Sequence, residues 1–254
     1  MANPFRPLPH KWQLCRSRHN DRSTVMVGAQ PPRAILFDLY GTLVPGGSRF
    51  ERDSLSNRVA EILEVDPVEF AAMVRATFDE RVRGATGSLT ETIERLARRV
   101  GGHPSSSQIA LATKERLAFT RGLLENVQAR QDLEHLKACG HQLGVVTDCS
   151  AETPLVWTTT WLVDVIDVAT FSCELGTRKP DPSMYLDAAK RLNVLPEECT
   201  FIGDGGSNEL SGASELGMHA MLLSDPNLRD TDRFDEEIDW NGERIGSLSE
   251  LLVT

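Results

Sequence analysis

Two hydrophobic patterns alternate along this chain. Continuous apolar runs at 34–38, 142–147, 168–171, 199–203 and 218–223 have the length and composition of strands buried on both faces. From residue 122 onward the runs are separated by stretches whose apolar positions recur every three or four residues. One such stretch, about 129–139, ends before Gly140, a helix-stop residue. Another, about 181–193, has Pro182 in its first turn and sets Tyr185, Leu186, Ala189 and Leu192 on one face. A third runs from Ser207 to Leu216 and stops at Gly217. Strands alternating with helices predict an α/β fold with a doubly wound parallel sheet.

Between Val44 and Gly122 the strand pattern disappears. Pro45-Gly46-Gly47 marks a flexible exit from the first strand. Leu55, Val59, Ile62 and Leu63 then follow helical spacing. Asp66 is placed to cap a second helix, with Pro67 at its first position and Glu69 at its third. Ala71, Val74, Phe78 and Val82 form that helix's apolar stripe. Ser88 with Glu91 makes a capping box ahead of Leu89, Ile93, Leu96 and Val100, and a further helix starts among Ser105–Ser107. The pattern predicts an all-helical insertion at 45–121 in a core built from 32–44 and 122–254, with chain hinges at 45–47 and near Arg121-Gly122. Residues 1–31 stand apart as a basic, proline-rich tail expected to be disordered, and Met26 offers an alternative start.

Composition changes this picture only by exclusion. With 27 basic and 37 acidic residues, a net charge of −10 argues against a general nucleic-acid or anionic-membrane surface. No apolar stretch reaches the roughly 18 residues of a membrane span, and the tail lacks the apolar core of a secretory signal. The five cysteines, 15, 139, 149, 173 and 199, contain no C-x-x-C pair and suit a reduced, cytoplasmic protein better than a disulfide framework. Cys149 reads as a small residue at a helix start rather than a reactive thiol, because no histidine neighbours it.

The candidate chemistry gathers at strand ends. Asp38-Leu39-Tyr40-Gly41-Thr42 delivers an aspartate into a tight turn, and Gly144-Val145-Val146-Thr147-Asp148 ends a strand in a hydroxyl. Arg178-Lys179-Pro180-Asp181 supplies a lysine ahead of a helix, and Phe201-Ile202-Gly203-Asp204 is followed by Glu209 one turn into the next helix. In a doubly wound sheet such groups converge at the carboxyl edge of the strands. Three carboxylates with one lysine in a small space leave about two negative charges uncompensated, a deficit that a hard divalent cation with oxygen ligands removes.

These four segments, in order and over about 33–223, resemble the haloacid dehalogenase superfamily of aspartate-nucleophile hydrolases. The resemblance implies that the helical insertion is a cap over the site and that Mg²⁺ is the cofactor. It implies a nucleophilic Asp38 and metal ligation by Asp38, the Tyr40 backbone carbonyl and Asp204, with Glu209 behind them. It implies a small anionic substrate met by Gly41, Thr42, Thr147, Asp148 and Lys179, in part through backbone N–H groups of residues 39–42. Arg75, Arg81 and Arg83 of the insertion are further candidates for meeting that anion.

One position departs from the phosphatase pattern. Where the family's phosphatases carry a second aspartate, acid to the leaving group and base to water, this chain has Tyr40. Asp-x-Tyr is the pattern of the 2-haloacid dehalogenases, yet those use no metal and lack the Gly203-Asp204 acid. A phosphatase of small phosphorylated metabolites is favoured. A 2-haloacid dehalogenase and an impaired member that binds a phosphorylated ligand without turnover remain as alternatives.

Overall fold

The computed structural model describes residues 32–126, 128–224 and 240–252. The expected tail at 1–31, with Cys15 and Met26, lies outside them. Six parallel strands make one sheet: β1 (Ala34–Phe37), β2 (Gln142–Thr147), β3 (Val168–Phe171), β4 (Cys199–Gly203), β5 (His219–Leu223) and β6 (Glu243–Ile245), in the order β3-β2-β1-β4-β5-β6. The first five are the expected ones. The three-residue edge strand β6 went unread because Glu243 and Arg244 are exposed and only Ile245 is buried, which leaves no apolar run.

Strands β1 to β5 read as continuous apolar runs because both sheet faces are covered. Successive side chains of a strand point to opposite faces. Ile35 and Phe37 accordingly join Leu133, Leu136, Val145 and Ile202 in one core cluster. Ala34 and Leu36 join Val146, Tyr185, Leu192 and Phe201 in the other. Burial of each such large side chain stabilises the sheet by about 1.5–3 kcal/mol.

Among the described residues five helices follow β1 in succession: α1 (Arg49–Leu63), α2 (Pro67–Ala76), α3 (Phe78–Val82), α4 (Leu89–Arg99) and α5 (Ser106–Leu124). Ser48, Asp66, Ser88 and Ser105 cap α1, α2, α4 and α5, and all but Asp66 form full capping boxes with Glu51, Glu91 and Gln108. These helices own a separate apolar cluster that includes Leu55, Val59, Leu63, Phe70, Ile93 and Leu96.

Two expectations for this region are corrected. The stripe Ala71–Val74–Phe78–Val82 does not lie on one helix, because the chain breaks at Thr77, whose hydroxyl bonds back to the Met73 carbonyl at 2.8 Å. Phe78 is left 44% exposed. Arg121 and Gly122, expected at a hinge, lie inside α5, which runs on to Leu124.

After β2 come two short helices, α7 (Glu152–Trp157) and α8 (Leu162–Val165), and after β3 a third, α9 (Ser172–Leu175). Their four to six residues are too few to show a helical period. The longer helices α6 (Arg130–Ala138), α10 (Pro182–Leu192) and α11 (Glu209–Glu215) fall where the pattern placed them. Among the described residues no helix is long and apolar enough to cross a membrane. Cys149, Cys173 and Cys199 are free thiols.

Candidate active site

The sheet order puts the switch of direction between β1 and β4, the usual place for a site in such folds. Phe37 pairs with Val145 on one side and Ile202 on the other. Asp38, one residue past Phe37, and Thr147 and Asp204, two residues past its partners, therefore emerge together at the carboxyl edge. The Asp38 N–H donates to the Ile202 carbonyl at 2.9 Å, continuing the strand and fixing the carboxylate's base.

Asp38 is 5% exposed. Its Oδ2 accepts from the Thr42 hydroxyl at 3.1 Å, and its Oδ1 accepts from Lys179 Nζ. Lys179 also donates to Glu209 Oε2 at 2.5 Å, and its backbone N–H donates to Asp148 Oδ1 at 2.9 Å. Burial disfavours the Lys179 ammonium, but Asp38, Glu209 and Asp148 outweigh that and raise its pKa above the ordinary lysine value. The group stays charged. Glu209 is fully buried and pushed up to about 8, first by burial and further by Asp38, against the opposing pull of Lys179. Its Oε1 accepts from the Gly205 N–H at 3.1 Å. Gly203 makes this seat possible: a Cβ there would lie 2.0 Å from Glu209 Oε1.

Ligand oxygens of Asp38, Asp204 and Glu209 lie within 4.8 Å of one another. Lys179 supplies the ammonium bonded to two of them. The donor set fits Mg²⁺: hard oxygens, clustered, and short of positive charge. Thr147 Oγ1 is buried beside them with no hydrogen-bond partner among the described residues, and a buried hydroxyl in that state is unsatisfied until an acceptor or donor reaches it.

Two of the expected substrate-contact residues have backbone partners within the turn. The Gly41 N–H donates to the Val44 carbonyl at 2.6 Å and the Thr42 N–H to the Leu39 carbonyl at 3.4 Å. Both amides close the turn. Thr42 orients Asp38, and Asp148 orients the Lys179 backbone while standing 3.7 Å from Arg178 Nε. Of the three candidate arginines, Arg75 is engaged by Asp53 and Arg83 by Asp79 at the surface. Arg81 alone turns inward, donating to Ser150 Oγ at 2.8 Å and to the Val74 carbonyl at 2.9 Å.

Tyr40 is partly buried, and its hydroxyl shares a 2.8 Å hydrogen bond with Thr153 Oγ1. Burial pushes its phenol well above the ordinary range, against the lowering effect of the Thr153 bond, while Cys149, Glu152 and Asp38 add to the rise. It is protonated at any working pH and has no capacity to act as a base.

Several contributors escaped the sequence reading. Arg116 of α5 forms a buried ion pair with Glu152 of α7. Arg178 reaches Asp79 of α3 at 3.3 Å and Ser207 at 3.4 Å. Thr153, Glu152 and Ser150 carry no strand-end or motif signal. Their neighbourhood to Asp148 was the one available clue.

A family model described as haloacid dehalogenase-like hydrolase matches residues 32–217. A glyceraldehyde 3-phosphate phosphatase of Methanopyrus kandleri is 25% identical over 232 residues, covering 87% of this chain and 97% of the relative. A HAD phosphatase from Thermococcus onnurineus superposes with a TM-score of 0.58 at 23% identity, over 86% of this chain and 95% of that one. A HAD family enzyme of Bacteroides thetaiotaomicron, solved in complex with magnesium and inorganic phosphate, has a TM-score of 0.58 at 16% identity, covering 76% and 94%.

Proposed function

We propose that this chain, which belongs to the haloacid dehalogenase-like hydrolases, hydrolyses a small phosphorylated metabolite with Asp38 as nucleophile and Mg²⁺ as cofactor. The observation that carries the reading is the buried Asp38–Lys179–Glu209 chain with Asp204 against it. A phosphatase relative matched over nearly its whole length supports the substrate class, and the magnesium and phosphate in the Bacteroides enzyme support the cofactor.

In this reading Asp38, Asp204 and the Tyr40 backbone carbonyl hold the metal, with Glu209 behind them. Mg²⁺, when bound, neutralises charge on the phosphate and on the carboxylates around it. Lys179 is held between Asp38 and Glu209 and keeps its charge, so it steadies the nucleophile and faces the anionic substrate. The Thr147 hydroxyl donates to a phosphate oxygen and gains the partner it lacks. Asp38 attacks phosphorus in line, the ester oxygen leaves, and water then hydrolyses the aspartyl-phosphate. Tyr40 cannot take the usual acid–base role, so leaving groups that need no proton, such as aryl or acyl, are favoured. The inserted helices form the lid that excludes water.

A second reading, hydrolysis of a 2-haloacid, is favoured only by Tyr40 following Asp38. One panel tests both: phosphate esters and haloacids, assayed for phosphate and halide release with Mg²⁺ and with chelator. Phosphate release that needs Mg²⁺ and vanishes in Asp38→Asn is expected. Halide release undiminished by chelator would replace the phosphatase reading.

A further inference from the structure

Cys149 and Cys173 meet at the edge of the site, on segments 24 residues apart in sequence, with their sulfurs 4.0 Å apart. Cys149 follows Thr147-Asp148 directly and is buried. Cys173 lies in the first turn of α9 and is partly exposed. The two segments are already tied: the Cys149 N–H donates to Ser172 Oγ at 2.9 Å, and that hydroxyl donates back to the Cys149 carbonyl at 3.3 Å. We propose that Cys149 and Cys173 form an oxidative modification site, closed by peroxide into a disulfide that slows the enzyme reversibly.

The assignment follows from access and reach. Cys173 is the sulfur an oxidant can approach, and Cys149 is the one held beside it. The Cys173 thiolate attacks one peroxide oxygen, the O–O bond breaks, and the departing hydroxide takes up a proton as water, leaving a sulfenic acid on Cys173. The Cys149 sulfur then attacks the Cys173 sulfur, its proton leaves with the hydroxyl as a second water, and the S–S bond is made. Two thiols are oxidised and one peroxide reduced. Closing 4.0 Å to the about 2.05 Å of a disulfide requires about 2 Å of approach, within reach of side-chain rotation plus a small loop shift.

That shift falls where it matters. The loop leaving β2 carries Thr147, Asp148 and Cys149, and Asp148 Oδ1 holds the Lys179 N–H. Cys173 in turn lies against the inserted helices: a Cβ at Gly84 would lie 2.1 Å from the Cys173 carbonyl oxygen, so the turn after α3 meets α9 there backbone to backbone. A bond between the sulfurs pulls the phosphate-side loop toward the seam with the inserted helices. A displacement of about 1 Å in such a site can cost on the order of 10²-fold in rate. The contact shared with Cys149 also lowers the Cys173 thiol's pKa, against the effect of burial, while burial holds the Cys149 thiol well above the ordinary range. Cys199, a buried thiol pushed up to about 12 by burial, is the internal control.

The effect on rate rests on the hydrolase reading above, but the chemistry is read separately. Reduced full-length protein is treated with hydrogen peroxide, digested without reductant and mapped by mass spectrometry. A cross-linked Cys149–Cys173 peptide, lighter by two hydrogens and absent after dithiothreitol, is expected, with Cys199 unchanged. Hydrolysis of an aryl phosphate should fall severalfold or more and return with dithiothreitol. Cys173→Ser and Cys149→Ala should keep the untreated rate and lose the reversible inhibition. Absence of the linked peptide overturns the site. Formation of the linked peptide with an unchanged rate overturns the regulatory half of the proposal. A protein inert toward every ester yet yielding the linked peptide would count against the hydrolase reading instead.

Discussion

Tyr40 is the residue on which the chemistry turns. Its hydroxyl is committed to Thr153 and burial holds the proton on it, so Tyr40→Phe is expected to change turnover of an aryl phosphate only a few-fold. A loss of 10² or more would make the phenol a proton donor after all, since general acid–base groups contribute about 10²–10⁴. Tyr40→Asp places the missing acid–base near the nucleophile. It should raise hydrolysis of alkyl phosphates, whose leaving oxygens need a proton, more than that of aryl phosphates. The shorter side chain leaves the Thr153 hydroxyl without its partner, at a stability cost of about 1–3 kcal/mol. Equal gains on both ester classes, or none, would show that position 40 does not limit the leaving group.

At this scale the sequence was most legible where a residue's role comes from its place on a strand end: Asp38, Thr147 and Asp204 converge because β1, β2 and β4 are neighbours in register. It was least legible where role depends on a partner far away in sequence. Glu209 was expected to stand behind a metal, and its bond to Lys179 needs the loop before α10 to fold against α11. Gly41 and Thr42 look like anion-binding amides in sequence, and their carbonyl partners appear only once the turn closes.

Among elements, buried strands and capped helices were readable because their signals are local. The capping acceptors at Asp66, Ser88 and Ser105 sit three residues before the N–H they receive, whatever the rest of the chain does. The short helices α7 and α9 were not readable, yet α7 anchors the inserted helices through the buried Arg116–Glu152 pair. Burial pushes the Glu152 carboxyl up, but Arg116 and Arg81 outweigh it and hold it below the ordinary carboxylate range. A folded-state pKa below the unfolded value of about 4.3 means that this stabilisation is complete above that value and is lost as pH falls through the folded pKa. Wild-type stability to urea should therefore fall toward that of Glu152→Gln as the solution is acidified below about pH 4, and exceed it at pH 7. Removing one partner of a buried pair costs about 3–5 kcal/mol, the lower end being expected for Arg116→Met because Arg81 remains beside Glu152. A constant gap between wild type and Glu152→Gln across that pH range would mean that the carboxylate's charge contributes nothing to the seam.

For the whole molecule, the carboxylate cluster is a local excess of negative charge inside a chain already at −10. Folding without a cation brings Asp38, Asp204 and Glu209 together at a cost that Lys179 offsets only in part. A cation that binds the folded chain alone stabilises it by about 2.7 kcal/mol at one hundred times its dissociation constant. For a chain of this size that corresponds to roughly 5–10 °C in melting temperature, at about 2–4 °C per kcal/mol. Mg²⁺ should produce such a rise in the wild type and excess chelator should reverse it. Asp204→Asn should abolish the rise while melting at or above the metal-free wild type, because it removes one repelling charge and keeps an oxygen able to accept the Gly206 N–H, a bond of 3.2 Å in the native site. The variant also separates the site from the diffuse attraction of Mg²⁺ to an acidic surface, which it leaves almost unchanged. An equal Mg²⁺ shift in wild type and Asp204→Asn would place the metal elsewhere on that surface. No shift in the wild type at millimolar Mg²⁺ would remove the metal from the mechanism and bring forward the haloacid reading of Asp38 and Tyr40.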